Sequence, residues 1–208
     1  MPVPDDAPRI APLVEALAGP GFGVDPEFAD GELVRALAAD VARRDAAGGF
    51  RAAAVGAGSN RAVRPQIRGD RICWLLAAES AAERRVLARL GQLRDALNRE
   101  LMLGVVDFEC HYAIYGPGTH YARHLDRSPK GAERVVSVVL YLNDDWQAAD
   151  GGELVLAAEG GEVLVAPRGG TLVVFLSQRL EHEVRTARRT RLSLTGWFRR
   201  RPTFGPPV

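Results

Sequence analysis

Apolar residues recur at steps of three and four through the first half of the chain and alternate with polar ones through much of the second. The clearest helical stripe is Val86, Leu90, Leu93, Leu97 and Leu101. It predicts a helix from Ala81 to about Leu101, with Arg84, Asp95 and Arg99 on the opposite face. Ile10 to Ala18 reads as a shorter amphipathic helix stopped by Gly19-Pro20-Gly21. Phe22 to Val24 reads as a short strand. Asp25-Pro26 then predicts the start of a second helix, with Asp25 as N-cap and Pro26 at the first helical position, running to about Ala47 ahead of Gly48-Gly49. Arg51 to Arg68 is rich in Gly, Ala and Arg with little periodicity. It reads as a long mobile loop of the kind that reaches over a scaffold toward a ligand. A short strand from Ile72 to Leu76 precedes the long helix.

Beyond the long helix the pattern becomes strand-like. Val105 to Tyr115, Arg134 to Leu142, Leu154 to Leu156, Glu162 to Val165, Thr171 to Phe175 and Arg191 to Arg199 are predicted strands. Turn signals separate them, among them Gly116-Pro117-Gly118, Gly151-Gly152, Gly160-Gly161 and Gly169-Gly170. Helices first and then a run of short strands predict an α+β fold, a double-stranded β-helix (jelly roll) backed by N-terminal helices. We read residues 1–208 as a single domain, helical to about 103 and jelly roll from about 104 to 200.

Composition narrows the function classes. A chain of 208 residues can enclose a real hydrophobic core. The formal net charge of +1 gives no global pull toward nucleic acid or an anionic membrane. Two cysteines, Cys73 and Cys110, are too few for a disulfide framework and form no zinc-type pair. The acidic, proline-bearing start lacks the basic and apolar regions of a signal peptide, and no apolar run approaches a membrane span. A reducing, cytoplasmic setting is expected.

The chain holds 4 histidines: His111, His120, His124 and His182. His124-Leu125-Asp126 is an HxD triplet, and in an extended segment its first and third side chains share a face. With His182, just past a predicted strand, they would supply two imidazoles and one carboxylate to one metal. That is the ligand set of non-heme Fe(II) oxygenases. Either motif alone has an ordinary reading: a lone HxD is usually a surface accident, and a lone histidine is usually solvated or packed in a core. Arg191 sharpens the case. It opens a strand on which Arg191, Ser193, Thr195 and Trp197 share one face. A guanidinium on such an inner face needs an anion, and its planar fork suits a carboxylate. The neighbouring Arg185, Arg188, Arg189, Arg199, Arg200 and Arg201 read instead as solvated residues of a sheet edge.

Several separated stretches resemble the prolyl-hydroxylase-domain family of Fe(II)- and 2-oxoglutarate-dependent dioxygenases, the oxygen-sensor type, and its bacterial branch in particular. They are Gln66 to Trp74, Phe108 to Asp126, Arg134 to Asn143 with Asp145-Trp146, Gly151-Gly152-Glu153-Leu154, and His182-Glu183-Val184 through Arg191 to Trp197. The resemblance implies that His124, Asp126 and His182 bind Fe(II), and that Arg191 pairs with the tail of 2-oxoglutarate. It implies Tyr141 as a hydroxyl donor to the same carboxylate with Thr195 lining that end, Tyr115 near the cosubstrate, and Val139 and Leu154 as apolar walls. Tyr121, Arg134 and Trp197 are placed where a target side chain would enter, and Asp70 is expected to pair with Arg134 across the mouth. The segment ending at Arg68 corresponds to the family's substrate-covering loop, though its sequence matches poorly.

The implied chemistry consumes O2 and 2-oxoglutarate, releases succinate and CO2, and hydroxylates a prolyl residue of a protein substrate; ascorbate would be a reductant. In bacteria a translation elongation factor, elongation factor Tu, is a target by resemblance. Three alternatives stay open: the same chemistry on a small molecule or another amino-acid side chain, an oxygenase of alkylated nucleobases, and a non-catalytic metal-binding jelly roll, one holding zinc included. Nucleic-acid demethylases of the superfamily carry a second arginine on the Arg191 strand, where this chain has Trp197. That argues against a nucleic-acid substrate, and no membrane partner is expected.

Overall fold

The computed structural model describes residues 7–56, 62–126 and 133–200. Residues 57–61 of the expected loop lie outside the described part, as do the ends of the expected domain. Among these residues three α-helices, α1 (Ala7–Ala18), α2 (Gly31–Ala46) and α3 (Ala81–Leu101), accompany eleven strands. The strands are β1 (Phe22–Asp25), β2 (Arg51–Ala52), β3 (Asp70–Trp74), β4 (Asp107–Tyr115), β5 (Tyr121–His124), β6 (Glu133–Tyr141), β7 (Leu154–Ala158), β8 (Gly161–Val165), β9 (Leu172–Leu176), β10 (His182–Val184) and β11 (Arg191–Arg200).

The strands form a seven-stranded sheet, in the order β1-β9-β6-β11-β4-β3-β2, and a four-stranded sheet, β5-β10-β7-β8. Every strand pairing among the described residues is antiparallel. Alternation along the central strands creates two cores. Tyr112, Val136, Val138, Leu140, Val174, Leu194 and Phe198 face the helices, where Leu13, Leu17, Leu33, Leu37, Val86, Leu90, Leu93 and Leu97 bury their stripes. Ala113, Tyr115, Val139, Tyr141, Val173 and Phe175 face the other way and meet Leu154, Leu156, Val165 and Val184 of the small sheet. This is the double-stranded β-helix with helices on one face.

The long helix begins with a reciprocal cap: Ser80 Oγ accepts from the Glu83 backbone N–H at 3.0 Å, and Glu83 accepts from the backbone of Ser80. Glu83 is fully buried and takes the Arg44 guanidinium at 2.9 Å and the Tyr112 hydroxyl at 3.3 Å. One carboxylate thus ties α2, α3 and β4 together. Leu101, last of the stripe, is only partly buried.

One helix start differs from the expectation. The second helix begins at Gly31, with Asp30 as N-cap accepting from the Leu33 N–H at 2.8 Å. Asp25 instead holds the Glu27 N–H at 2.9 Å, in a turn that contains Pro26. Both aspartates suit a cap; Asp25 is still in β1, so the chain needs a turn before it can coil. The segment from Arg51 to Arg68 is also less bare than expected. Arg51–Ala52 pairs with β3, and Val55 bridges Ala62.

Candidate active site

His124 ends β5 and His182 opens β10, and the two are direct cross-strand partners. Their rings lie 4.2 Å apart, centroid to centroid. Asp126 falls just beyond the strand, where its backbone N–H donates to the Ser177 carbonyl at 3.2 Å. One ligand atom from each of the three side chains lies within 4.8 Å of the others. Each histidine presents the same nitrogen inward. His124 Nδ1 lies 2.9 Å from the Ala122 carbonyl, and His182 Nδ1 lies 3.2 Å from the Leu180 carbonyl. A carbonyl only accepts, so Nδ1 carries the proton and the Nε2 lone pair is left for a metal. Each Nε2 is 3.6 Å from an Asp126 carboxylate oxygen.

Electrostatics keep this set in its ligating form. Burial pushes His182 down to about 4, so its imidazole is neutral at physiological pH. Burial alone would raise Asp126, but the adjacent His124 and His182 and the Ser137 hydroxyl hold it below the usual carboxylate range. Ser137 Oγ donates to Asp126 Oδ2 at 2.7 Å, and the Trp197 indole N–H donates to the same oxygen at 2.8 Å. Two donors on Oδ2 fix the carboxylate plane and leave Oδ1 for a cation.

Arg191 is 1% exposed, and its Nε donates to the Gly152 carbonyl at 2.9 Å. Its guanidinium lies over the rings of Tyr115, at 5.1 Å, and Tyr141, at 4.9 Å. Among the described residues no carboxylate pairs with it, and the buried Tyr141 hydroxyl has no hydrogen-bond partner. Burial pushes the Tyr141 phenol up to about 12 despite the pull of Arg191, so it remains a donor. A buried cation with no carboxylate partner and a buried hydroxyl with no hydrogen-bond partner, among the described residues, are costly unless an anion meets them. The carboxylate of a dicarboxylic acid fits. Thr195 lies on the same face of β11, its Oγ1 3.3 Å from Ser193 Oγ, and Val139 and Leu154 are buried in the inner core alongside.

The entrance residues are arranged differently from the expectation. Asp70 does not pair with Arg134. Its buried carboxylate takes a two-pronged bond from Arg68, at 2.7 and 2.9 Å, because the two stand two residues apart on one extended segment. Arg134 instead bonds Glu109 at 2.8 Å and lies flat over Trp197 at 3.5 Å. Tyr121 stacks on His124 at 3.7 Å, with the Arg68 guanidinium 4.7 Å from its ring centre. Trp197 is 5% exposed and bound to Asp126, which makes it a support of the triad as well as a wall. Sequence reasoning passed over Ser137, Glu109 and Gly152. Ser137 had a signal, as the one hydroxyl in the run Val135-Val136-Ser137-Val138-Val139; Gly152 read only as a turn.

Likeness to known proteins agrees with this geometry. Residues 110–199 match the 2OG-Fe(II) oxygenase superfamily. A prolyl-4-hydroxylase of Pseudomonas putida is 49% identical, with a TM-score of 0.85 over 93% of this chain and 100% of that one. A Trichoplax adhaerens prolyl hydroxylase, solved with a peptide from the oxygen degradation domain of hypoxia inducible factor, is 28% identical, with a TM-score of 0.78 over 93% of this chain and 90% of that one. Egl nine homolog 1 of Rattus norvegicus is 31% identical over 143 residues, 64% of this chain; the match spans only 41% of that protein's length. The chain belongs to the 2OG-Fe(II) oxygenase superfamily, and within it to the prolyl 4-hydroxylases.

Proposed function

We propose that the protein hydroxylates a prolyl residue of a protein substrate, using Fe(II), 2-oxoglutarate and O2. The observation that carries the reading is Arg191: a buried guanidinium with no counter-ion among the described residues, on the same sheet face as the Trp197 that grips Asp126. His124, Asp126 and His182 would hold the ferrous ion through two Nε2 atoms and Oδ1. Arg191 and the Tyr141 hydroxyl would hold the far carboxylate of the keto acid, with Thr195 two rows further along the same strand face, toward the metal end. When bound, the metal and keto acid activate dioxygen: one oxygen atom enters the substrate, the other ends in succinate, and CO2 is released.

The chain's own residues orient and shield this chemistry. Val139, Leu154 and Phe175 exclude water from the inner side. Arg68, held by Asp70, and Arg134, held by Glu109, frame the outer side and keep Tyr121 and Trp197 in place. Proline as the target rests on the Pseudomonas putida and Trichoplax adhaerens relatives. Two buried free thiols, Cys73 and Cys110, suit a reducing, cytoplasmic setting. No described helix is long and apolar enough to cross a membrane.

The test is mass spectrometry of proline-bearing proteins, a bacterial translation elongation factor among them. Each is incubated with the protein, Fe(II), 2-oxoglutarate, ascorbate and air. The expected product carries one added oxygen on a prolyl residue, with matching succinate. Oxidation that falls on other residues or on small molecules would displace the proline reading.

A further inference from the structure

The inner face of the large sheet is a grid, and its registers show what any ligand between Arg191 and the triad must pass. Tyr115 stands opposite Arg191, Ala113 opposite Ser193, His111 opposite Thr195, and Glu109 opposite Trp197. Trp197 holds Asp126. His111 and Thr195 therefore form the row next to the metal end, while Ala113 and Ser193 lie nearer Arg191. Cross-strand neighbours on one face stand about 5 Å apart at Cβ, so the His111 ring reaches the floor of this slot.

His111 is 1% exposed, and among the described residues neither of its ring nitrogens has a hydrogen-bond partner. Its ring lies between Trp74, at 4.9 Å, and Trp197, at 5.4 Å, neither of which accepts from it. A core histidine is ordinarily bonded on at least one nitrogen, and leaving a buried polar atom unmet costs about 1–3 kcal/mol. Burial, with Arg68 and Arg134 nearby, pushes His111 down to about 3, so the ring is neutral and offers one N–H and one lone pair. Thr195, its cross-strand partner, turns its hydroxyl to Ser193 instead.

We infer that His111 is a direct contact for the metal-side end of the bound keto acid, its ring N–H donating to an oxygen of that end. The inference rests on the keto-acid reading above. In this arrangement Arg191 and Tyr141 answer the far carboxylate, and His111 reads the near one from the Trp74 side of the slot. Trp74, opposite His111 on β3, is 38% exposed, so His111 stands between the cosubstrate and the solvent-facing side of Trp74.

The test uses full-length protein loaded anaerobically with Fe(II) and titrated with 2-oxoglutarate, following the visible band that the pair produces. His111→Leu should weaken 2-oxoglutarate by roughly ten- to hundredfold, the range for a lost bond to a charged group. His111→Gln should recover part of it, and Fe(II) affinity should hold. Pyruvate, which carries only the keto-acid end, should lose a similar factor in His111→Leu but little in Arg191→Ala. Ring nitrogen resonances of wild-type His111 in Zn(II)-loaded protein provide a second measurement that survives if His111→Leu fails to fold; they should move when 2-oxoglutarate is added. An unmoved resonance, or a His111→Leu protein that binds 2-oxoglutarate like wild type, overturns the assignment while leaving the keto-acid reading intact. Absence of any band in the wild type would instead remove that reading, and this inference with it.

Discussion

Trp197 donates its indole N–H to the Asp126 carboxylate at 2.8 Å, from the far end of the strand that Arg191 opens. One strand thus places an anion-seeking guanidinium and the orienting partner of a metal-ligand carboxylate at a fixed spacing. Trp197→Phe leaves an aromatic ring beneath Arg134 but deletes the donor. Loss of such an outer partner costs roughly 10–100-fold in metal affinity. Ferrous titration of the variant should show that loss, and unchanged affinity would leave Ser137 as the sole effective support.

Arg191→Ala should raise the 2-oxoglutarate requirement by roughly tenfold or more, about 1.4 kcal/mol at the low end. Arg188 and Arg189, exposed and bonded to the carbonyls of Ala149, Asp144 and Asp145, should tolerate alanine without change. Succinate release against keto-acid concentration separates the three variants, and a stronger effect at Arg188 or Arg189 would contradict the register.

Gly152 has φ +69, and a Cβ there would stand 3.2 Å from Arg191 Cδ and 3.2 Å from the Ala187 side chain. Gly152→Ala should cost about 1–3 kcal/mol in backbone strain and also push Arg191 off its carbonyl. Gly48 has the same φ, with nothing within 4 Å of its added Cβ. Gly48→Ala should therefore melt earlier while binding 2-oxoglutarate normally, whereas Gly152→Ala should fail on both counts.

Acid should destabilise the metal-free protein well above the carboxylate range. His111 and His182 are depressed by burial to about 3 and about 4, against roughly 6.5 in the unfolded chain. Between those values the unfolded state binds the protons and the folded state does not, so stability rises with pH. The contribution is complete above about 6.5 and is lost as pH falls toward 4. Asp126, also depressed, extends the loss to lower pH. Each histidine contributes at most about 1.4 kcal/mol per pH unit. Melting curves from pH 7 to 4 should steepen accordingly, and His111→Leu should flatten them by one proton's worth; a flat wild-type profile would refute buried neutral rings.

Much of this was legible in the alternation of the strands. The His124-x-Asp126 spacing and the shared face of Arg191, Thr195 and Trp197 follow from a period of two and survive folding. The strands that carry the histidines did not stand out, because β5 and β10 are only 4 and 3 residues long. The Trp197–Asp126 bond joins residues 71 positions apart and leaves no local trace. The Asp70 pairing was misread although its true partner, Arg68, sits two residues away. Local geometry outweighed the family pattern there. Asp25 and Asp30 show the reverse fault: two equally good caps, decided by where β1 ends.

The short strand bearing His124 has β10 on one side only. Its other side leans on the chain ahead of β3: Ala122 N–H meets the Ile67 carbonyl at 2.8 Å, Gly69 N–H meets the His120 carbonyl at 2.9 Å, and Arg68 bridges Tyr121. Gly69 has no room for a side chain, since an added Cβ would come 2.7 Å from Thr119. The entrance segment is therefore a splint for a metal-bearing strand. Evolution can rewrite its side chains to suit a new target, but an inserted residue between Ile67 and Gly69 would be felt at the histidine itself.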